Sequence, residues 1–74
     1  MIYTQYRYWS PVHGAEVCRV STANTSGLEY FVTVPLEESG RKWRAQREAA
    51  LHKLDLAMKL GHEPGEIAWE ETPT

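Results

Sequence analysis

Apolar and polar positions alternate through the first half of the chain and recur at helical spacing through the second. Ile2, Thr4, Tyr6 and Tyr8 alternate with Tyr3, Gln5, Arg7 and Trp9 in a run of β-formers, which predicts a strand. Ser10-Pro11-Val12-His13-Gly14 predicts a turn, punctuated by proline and glycine. Ala15–Thr22 predicts a second strand with Cys18 and Val20 on one face, and Asn24-Thr25-Ser26-Gly27 a second turn. Leu28–Leu36 predicts a third strand with Leu28, Tyr30, Val32, Val34 and Leu36 on one face. Pro35 has no N–H and belongs at an edge or a strand end. Short connections favour an antiparallel meander with the second strand in the centre.

The second half predicts one helix over Gly40–Gly61, with Ser39 as N-cap, Gly61 as the stop and Pro64 just beyond. At 100° per residue, Trp43, Ala50, Leu51, Leu54, Ala57 and Met58 share a face, with Arg47 intruding. That face should cover the sheet. The tail alternates at Glu66-Ile67-Ala68-Trp69-Glu70, so it either adds a short edge strand or packs as an arm through Ile67 and Trp69. The expected fold is α+β: a three-stranded antiparallel meander packed against one long C-terminal helix. It forms a single domain over residues 1–74, with an acidic tail over 63–74.

Length and composition narrow the function classes. A chain of 74 residues supports one small core, and 42% hydrophobic with 24% charged residues is globular rather than disordered. The net charge of −2 argues against a dedicated polyanion binder. No apolar run approaches the ~20 residues that span a bilayer, so no membrane partner is expected. Met1–Trp9 lacks the basic and apolar regions of a signal peptide. Cys18 is the one cysteine, which excludes an intrachain disulfide and makes a reducing cytoplasm the expected location.

The charge falls in blocks. Arg7 and Arg19 balance Glu16 and Glu29 before residue 37, basic residues exceed acidic ones in the middle, and Glu63, Glu66, Glu70 and Glu71 make the tail acidic. In so short a chain such blocks favour self-complementary packing over two separate partners.

Catalytic and metal chemistry are not expected. His13, Cys18, His52 and His62 show no Cys-x-x-Cys or His-x-x-x-His spacing, which favours a buried thiol and surface imidazoles over a metal site. A thiol in mid-strand on the core face is inert. Glu48, His52 and Asp55 sit at helical spacing, where exposed charges form weak pairs. Asn24-Thr25-Ser26 matches a glycosylation sequon but is most simply a turn. No cofactor is expected.

Two surfaces and one stripe invite partners. Arg41, Lys42, Arg44 and Arg47 load the start of the helix with positive charge, against the macrodipole. Either Glu37, Glu38 and the tail answer that charge, or a phosphate backbone or acidic protein does. If the aliphatic positions face the helix, the other sheet face carries Tyr3, Arg7, Trp9, Val17, Arg19 and Phe31, a hot-spot composition. The same mixture stacks unpaired bases. A one-residue shift at one strand would carry some of these rings to the core side. Ala45, Ala49, Leu56 and Leu60 form a second apolar stripe, expected either at a homodimer interface or beneath Ile67 and Trp69.

Tyr30-Phe31-Val32-Thr33-Val34-Pro35, then Glu48-Ala49-Ala50-Leu51, then Gly61-His62-Glu63-Pro64 loosely resembles the HicB antitoxin pattern over about half the chain. It departs where Glu37-Glu38-Ser39-Gly40 runs straight into the helix, since that family has a further turn and strand there. A three-strand meander closed by a helix also resembles small integrase arm-binding domains. The second expectation for function is a nucleic-acid-binding regulator, antitoxin-like or integrase-arm-like, that uses Arg7, Arg19, Arg41, Lys42, Arg44 and Arg47. The first is a non-enzymatic protein-interaction module of the kind phages and mobile elements encode, masking a larger protein or nucleoprotein complex.

Overall fold

The computed structural model describes residues 2–36 and 40–69, with the backbone alone at Gly40 and Arg41. The proposed Ser39 cap, the carboxylates of Glu37 and Glu38, the Arg41 side chain and the end of the acidic tail therefore lie outside the described residues. Strands β1 (Tyr3–Ser10), β2 (Ala15–Ala23) and β3 (Glu29–Pro35) are followed by helix α1 (Gly40–Lys59) and a short strand β4 (Gly65–Glu66). The sheet order is β1-β2-β3-β4. The first three strands are antiparallel and β4 runs parallel to β3. The architecture is the expected β-β-β-α, and the tail adds the short fourth strand.

The core follows from one alternation. Cys18 and Val20 of β2 pack with Tyr30, Val32 and Val34 of β3 beneath Ala50, Leu54 and Ala57 of α1. Ala50 and Ala57 are small, so the helix backbone lies close to the sheet while Leu54 fills the space between. Trp43, Leu51 and Met58 extend the same helix face, and Ile67 and Trp69 seal the core from the tail.

The connections fix this arrangement. The Asn24 carboxamide oxygen accepts the N–H groups of Ser26 and Leu28, both at 2.9 Å, and so organises the second turn. At the end of α1 the N–H of His62 reaches the Ala57 carbonyl (2.9 Å) and that of Gly61 reaches Met58 (3.2 Å). This is a Schellman closure, and Gly61 takes the left-handed conformation it needs (φ 73°). The Tyr30 hydroxyl then donates to the His62 carbonyl (2.7 Å), tying the helix end to β3. Pro35 is the last residue of β3, where its missing N–H costs no ladder bond.

The first turn differs from expectation, and the difference decides which side chains meet. Ser10 belongs to β1 and pairs with Ala15, so the loop is Pro11–Gly14. The buried Ser10 hydroxyl contacts His13 Nδ1 (2.9 Å) and accepts the His13 N–H (3.2 Å), while the Ser10 carbonyl accepts the Gly14 N–H (2.8 Å). A loop of even length pairs odd-numbered residues with even-numbered ones. Arg7 therefore lies beside Cys18, and Tyr8 beside Val17.

Leu54 is fully buried at the centre of the core. Leu54→Ala should cost about 2–5 kcal/mol in urea-induced unfolding. A loss below about 1 kcal/mol would place the helix elsewhere than on this sheet.

Candidate interaction interface

The cross-strand register assigns every strand residue to a face. Tyr3, Arg7 and Trp9 lie on the helix side of the sheet, beside Thr22, Cys18 and Glu16. The expectation that they share the open face with Arg19 and Phe31 is corrected by the even-length turn. Tyr6 and Tyr8 take that place instead, beside Arg19 and Val17. Val17, Arg19 and Phe31 lie on the open face as expected.

On that open face the Arg19 guanidinium sits 4.4 Å from the centroid of Phe31 and 5.9 Å from that of Tyr8. Tyr8 stacks on Tyr6 with centroids 5.4 Å apart and planes 21° from parallel. The flanking strands bring these groups together around a central arginine, forming a platform across β1, β2 and β3. Val17 is fully buried between its neighbours Tyr8 and Pro35 although no helix covers this side. The Thr4 and Ser21 hydroxyls meet at 2.7 Å and close the far end of the face. Among the described residues Arg19 has no carboxylate partner, and its Nε is buried without a hydrogen bond. Glu66, exposed, lies beside Phe31 at the margin.

A second surface forms where the helix leaves β1 uncovered. The Arg7 guanidinium lies 5.8 Å from the Trp43 ring, and Met58 lines a depression with Ile2 and Thr22. The helix thus runs antiparallel to β1, with Arg44 and Arg47 on the flank that faces this strand. Arg47 is half-buried and lies 3.7 Å from Glu48, whereas Arg44 is exposed. Lys42 is exposed on the opposite flank. So the two groups of expected partner-binding residues divide differently: Tyr3, Arg7 and Trp9 join Arg44 and Arg47, while Arg19 and Phe31 join Tyr6 and Tyr8.

The stripe of Ala45, Ala49, Leu56 and Leu60 is exposed. Ile67 and Trp69 pack against the core between β3 and the helix, and Lys53 lies 5.6 Å from the Trp69 ring. The docking of the tail over the stripe is therefore corrected: its parallel pairing with β3 carries these side chains to the sheet edge instead.

Cys18 is fully buried, and that burial pushes its thiol above its usual range, outweighing a backbone hydrogen bond from Tyr6 and the nearby charge of Arg7. Among the described residues no three His, Cys, Asp or Glu side chains converge on a common metal position. No described helix is long and apolar enough to cross a membrane. No known protein family, curated protein or solved structure matches the chain.

Cys18 should resist alkylation in the folded protein at pH 8 and react readily in urea. Because its folded pKa is raised, its contribution to stability is complete below the unfolded thiol's pKa and falls as the pH rises beyond it. Labelling of native protein at the unfolded rate would show that β2 does not bury this face.

Proposed function

We propose that the chain is a non-enzymatic interaction module that binds a larger protein through the open face of its sheet. The observation that carries this reading is the Arg19 guanidinium held against Phe31 and beside Tyr8 without a carboxylate among the described residues. A guanidinium stacked on rings loses little conformational freedom on binding, and its charge and outward N–H groups remain available to a partner's carboxylate or carbonyl. Arginine and large aromatics at the centre of an interface carry most of its binding energy. Phosphate recognition fits this face less well, because Arg19 is its central cation while exposed Glu29 and Glu66 lie at its margins. Nucleic acid is the second reading, favoured by Arg7, Arg44 and Arg47 on the other surface.

The non-enzymatic character rests on the inert setting of Cys18 and on hydroxyls committed to structure. Ser10 holds the first turn, Ser21 meets Thr4, and Thr22 donates to the Ile2 carbonyl. Masking or bridging a larger complex suits a module whose uncovered surfaces are large relative to its core, as in a phage-type inhibitor. The cytoplasm is the proposed compartment, since a lone thiol needs no oxidising environment.

Arg19→Ala and Phe31→Ala should each weaken capture of the cognate protein by about tenfold or more, with the fold retained by circular dichroism. A labelled single-stranded oligonucleotide should bind no better than millimolar at physiological salt. Tight oligonucleotide binding that falls steeply with salt and requires Arg19 would transfer the function to nucleic acid.

A further inference from the structure

The two edges of the sheet are treated differently. β4 pairs with β3 at Tyr30 and Phe31, and the Ile67 N–H donates to the Phe31 carbonyl (2.8 Å). Nothing among the described residues pairs with the outer edge of β1, which is eight residues long. The sequence of β1, Tyr-Thr-Gln-Tyr-Arg-Tyr-Trp-Ser, holds no proline or lysine, and Arg7 is its one charged residue.

The direction of the free backbone groups follows from the ladder. The Glu16 carbonyl accepts the Leu36 N–H (3.3 Å), so even-numbered residues of β2 turn their backbone groups to β3. Odd-numbered residues of β2 then bond to Thr4, Tyr6, Tyr8 and Ser10 of β1. The N–H and C=O groups of Tyr3, Gln5, Arg7 and Trp9 point outward.

We propose that the β1 edge is a homodimer interface, in which two copies pair antiparallel about a two-fold axis at Tyr6 and form one continuous sheet. Backbone parity and charge select this register. A two-fold axis between residues would set outward-pointing groups against inward-pointing ones. An axis at Arg7 would set the guanidinium against its own copy. An axis at Gln5 would pair only residues 3 to 7 of β1 and leave Trp9 beyond the start of the opposing strand at Tyr3. With the axis at Tyr6, Tyr3 faces Trp9 of the second copy and Gln5 faces Arg7. All outward N–H and C=O groups of β1 then pair, in about eight hydrogen bonds. Aromatic and amide–cation pairs directly opposite each other are favourable cross-strand neighbours. Tyr6 and Trp9, each 62% exposed in the single chain, become covered at the seam. The two proposals are tested separately, because Arg19 and Phe31 lie on β2 and β3, whereas Tyr6 and Tyr8 of β1 adjoin both surfaces.

Tyr6 faces its own copy at a non-hydrogen-bonded position, where the Cα atoms lie about 4.5 Å apart, within disulfide range. In a Cys18→Ala background, needed because Arg7 lies directly beside Cys18, the single-cysteine variants Gln5→Cys, Tyr6→Cys and Arg7→Cys should be oxidised in parallel with Cys18→Ala alone as the control. Tyr6→Cys should give a covalent dimer at least about tenfold faster than either neighbour. Sedimentation equilibrium of wild type should give twice the chain mass. Gln5→Pro, which removes an outward N–H without touching a bond to β2, should give a folded monomer. A wild type that stays monomeric at about 200 µM overturns the proposal, as does equal cross-linking at all three positions. Dissociation by Leu56→Asp while Gln5→Pro stays dimeric would assign the dimer to the helix stripe instead. If Gln5→Pro fails to fold, the cross-linking order alone decides.

Discussion

A single helix is too narrow for the sheet it must cover, and most features of this molecule descend from that mismatch. An α-helix with its side chains is about 10–12 Å wide, whereas strands lie about 4.8 Å apart. One helix therefore shields little more than two strands. Here it sits over β2 and β3, where Cys18, Val20, Tyr30, Val32 and Val34 present an unbroken apolar surface to Ala50, Leu54 and Ala57. The apolar strands are central or near-central because they must lie under the helix. β1, with arginine, glutamine and rings on its helix side, is left to the margin, and the tail closes the opposite margin with Ile67 and Trp69.

Most of this organisation was legible from apolar period. The third strand and the helix carry strong contrast between faces, so their orientation followed from Val32, Val34, Leu54 and Ala57 alone. β1 carries almost none: both its faces show rings and polar groups. Its orientation was therefore decided by the parity of the first turn. Assigning Ser10 to the turn gives an odd loop and places Tyr3, Arg7 and Trp9 opposite the helix. Assigning it to the strand gives an even loop and reverses them. The signal was present in Ser10 and His13, since a serine three residues before a turn histidine can hold the turn with its hydroxyl. A strand without amphipathic contrast takes its register from its neighbour, so turn chemistry outweighs composition there. The loss of Tyr6 and Tyr8 from the expected interface has the same origin.

The arginines show how burial divides one residue type into different physical roles. Arg19 stands in the middle of a sheet face, where flanking rings remove its Nε from water without replacing the lost hydrogen bond. That loss is a cost of folding, partly offset by the cation–π contact, and it leaves the rest of the guanidinium fixed in orientation. Arg47 is also half-buried with an unsatisfied Nε, but it lies 3.7 Å from Glu48 and its charge is partly compensated. Arg7 and Arg44 are exposed and solvated. Equal formal charges thus differ in what a partner gains. Arg19 offers a preorganised group, whereas the exposed pair offers mainly long-range attraction that salt screens.

The treatment of the sheet margins links these surfaces. On the β3 side the chain returns after α1, pairs at Tyr30 and Phe31, and drops Ile67 and Trp69 onto the core. That return needs the Schellman turn at Gly61 and the Tyr30–His62 bond, which together aim the tail along β3. No corresponding segment among the described residues reaches β1, whose edge carries neither proline nor lysine. Aromatic rings that stay exposed on a strand give up the burial that would stabilise a chain of 74 residues with a small core. A lysine or proline in β1 would have protected the edge at little cost to folding, because the bonds to β2 use only alternate residues. The combination of unblocked backbone groups and uncovered rings on one strand is what supports the proposed association, and the same alternation that turns Tyr3, Arg7 and Trp9 toward the helix side makes their backbone groups the ones available at the edge.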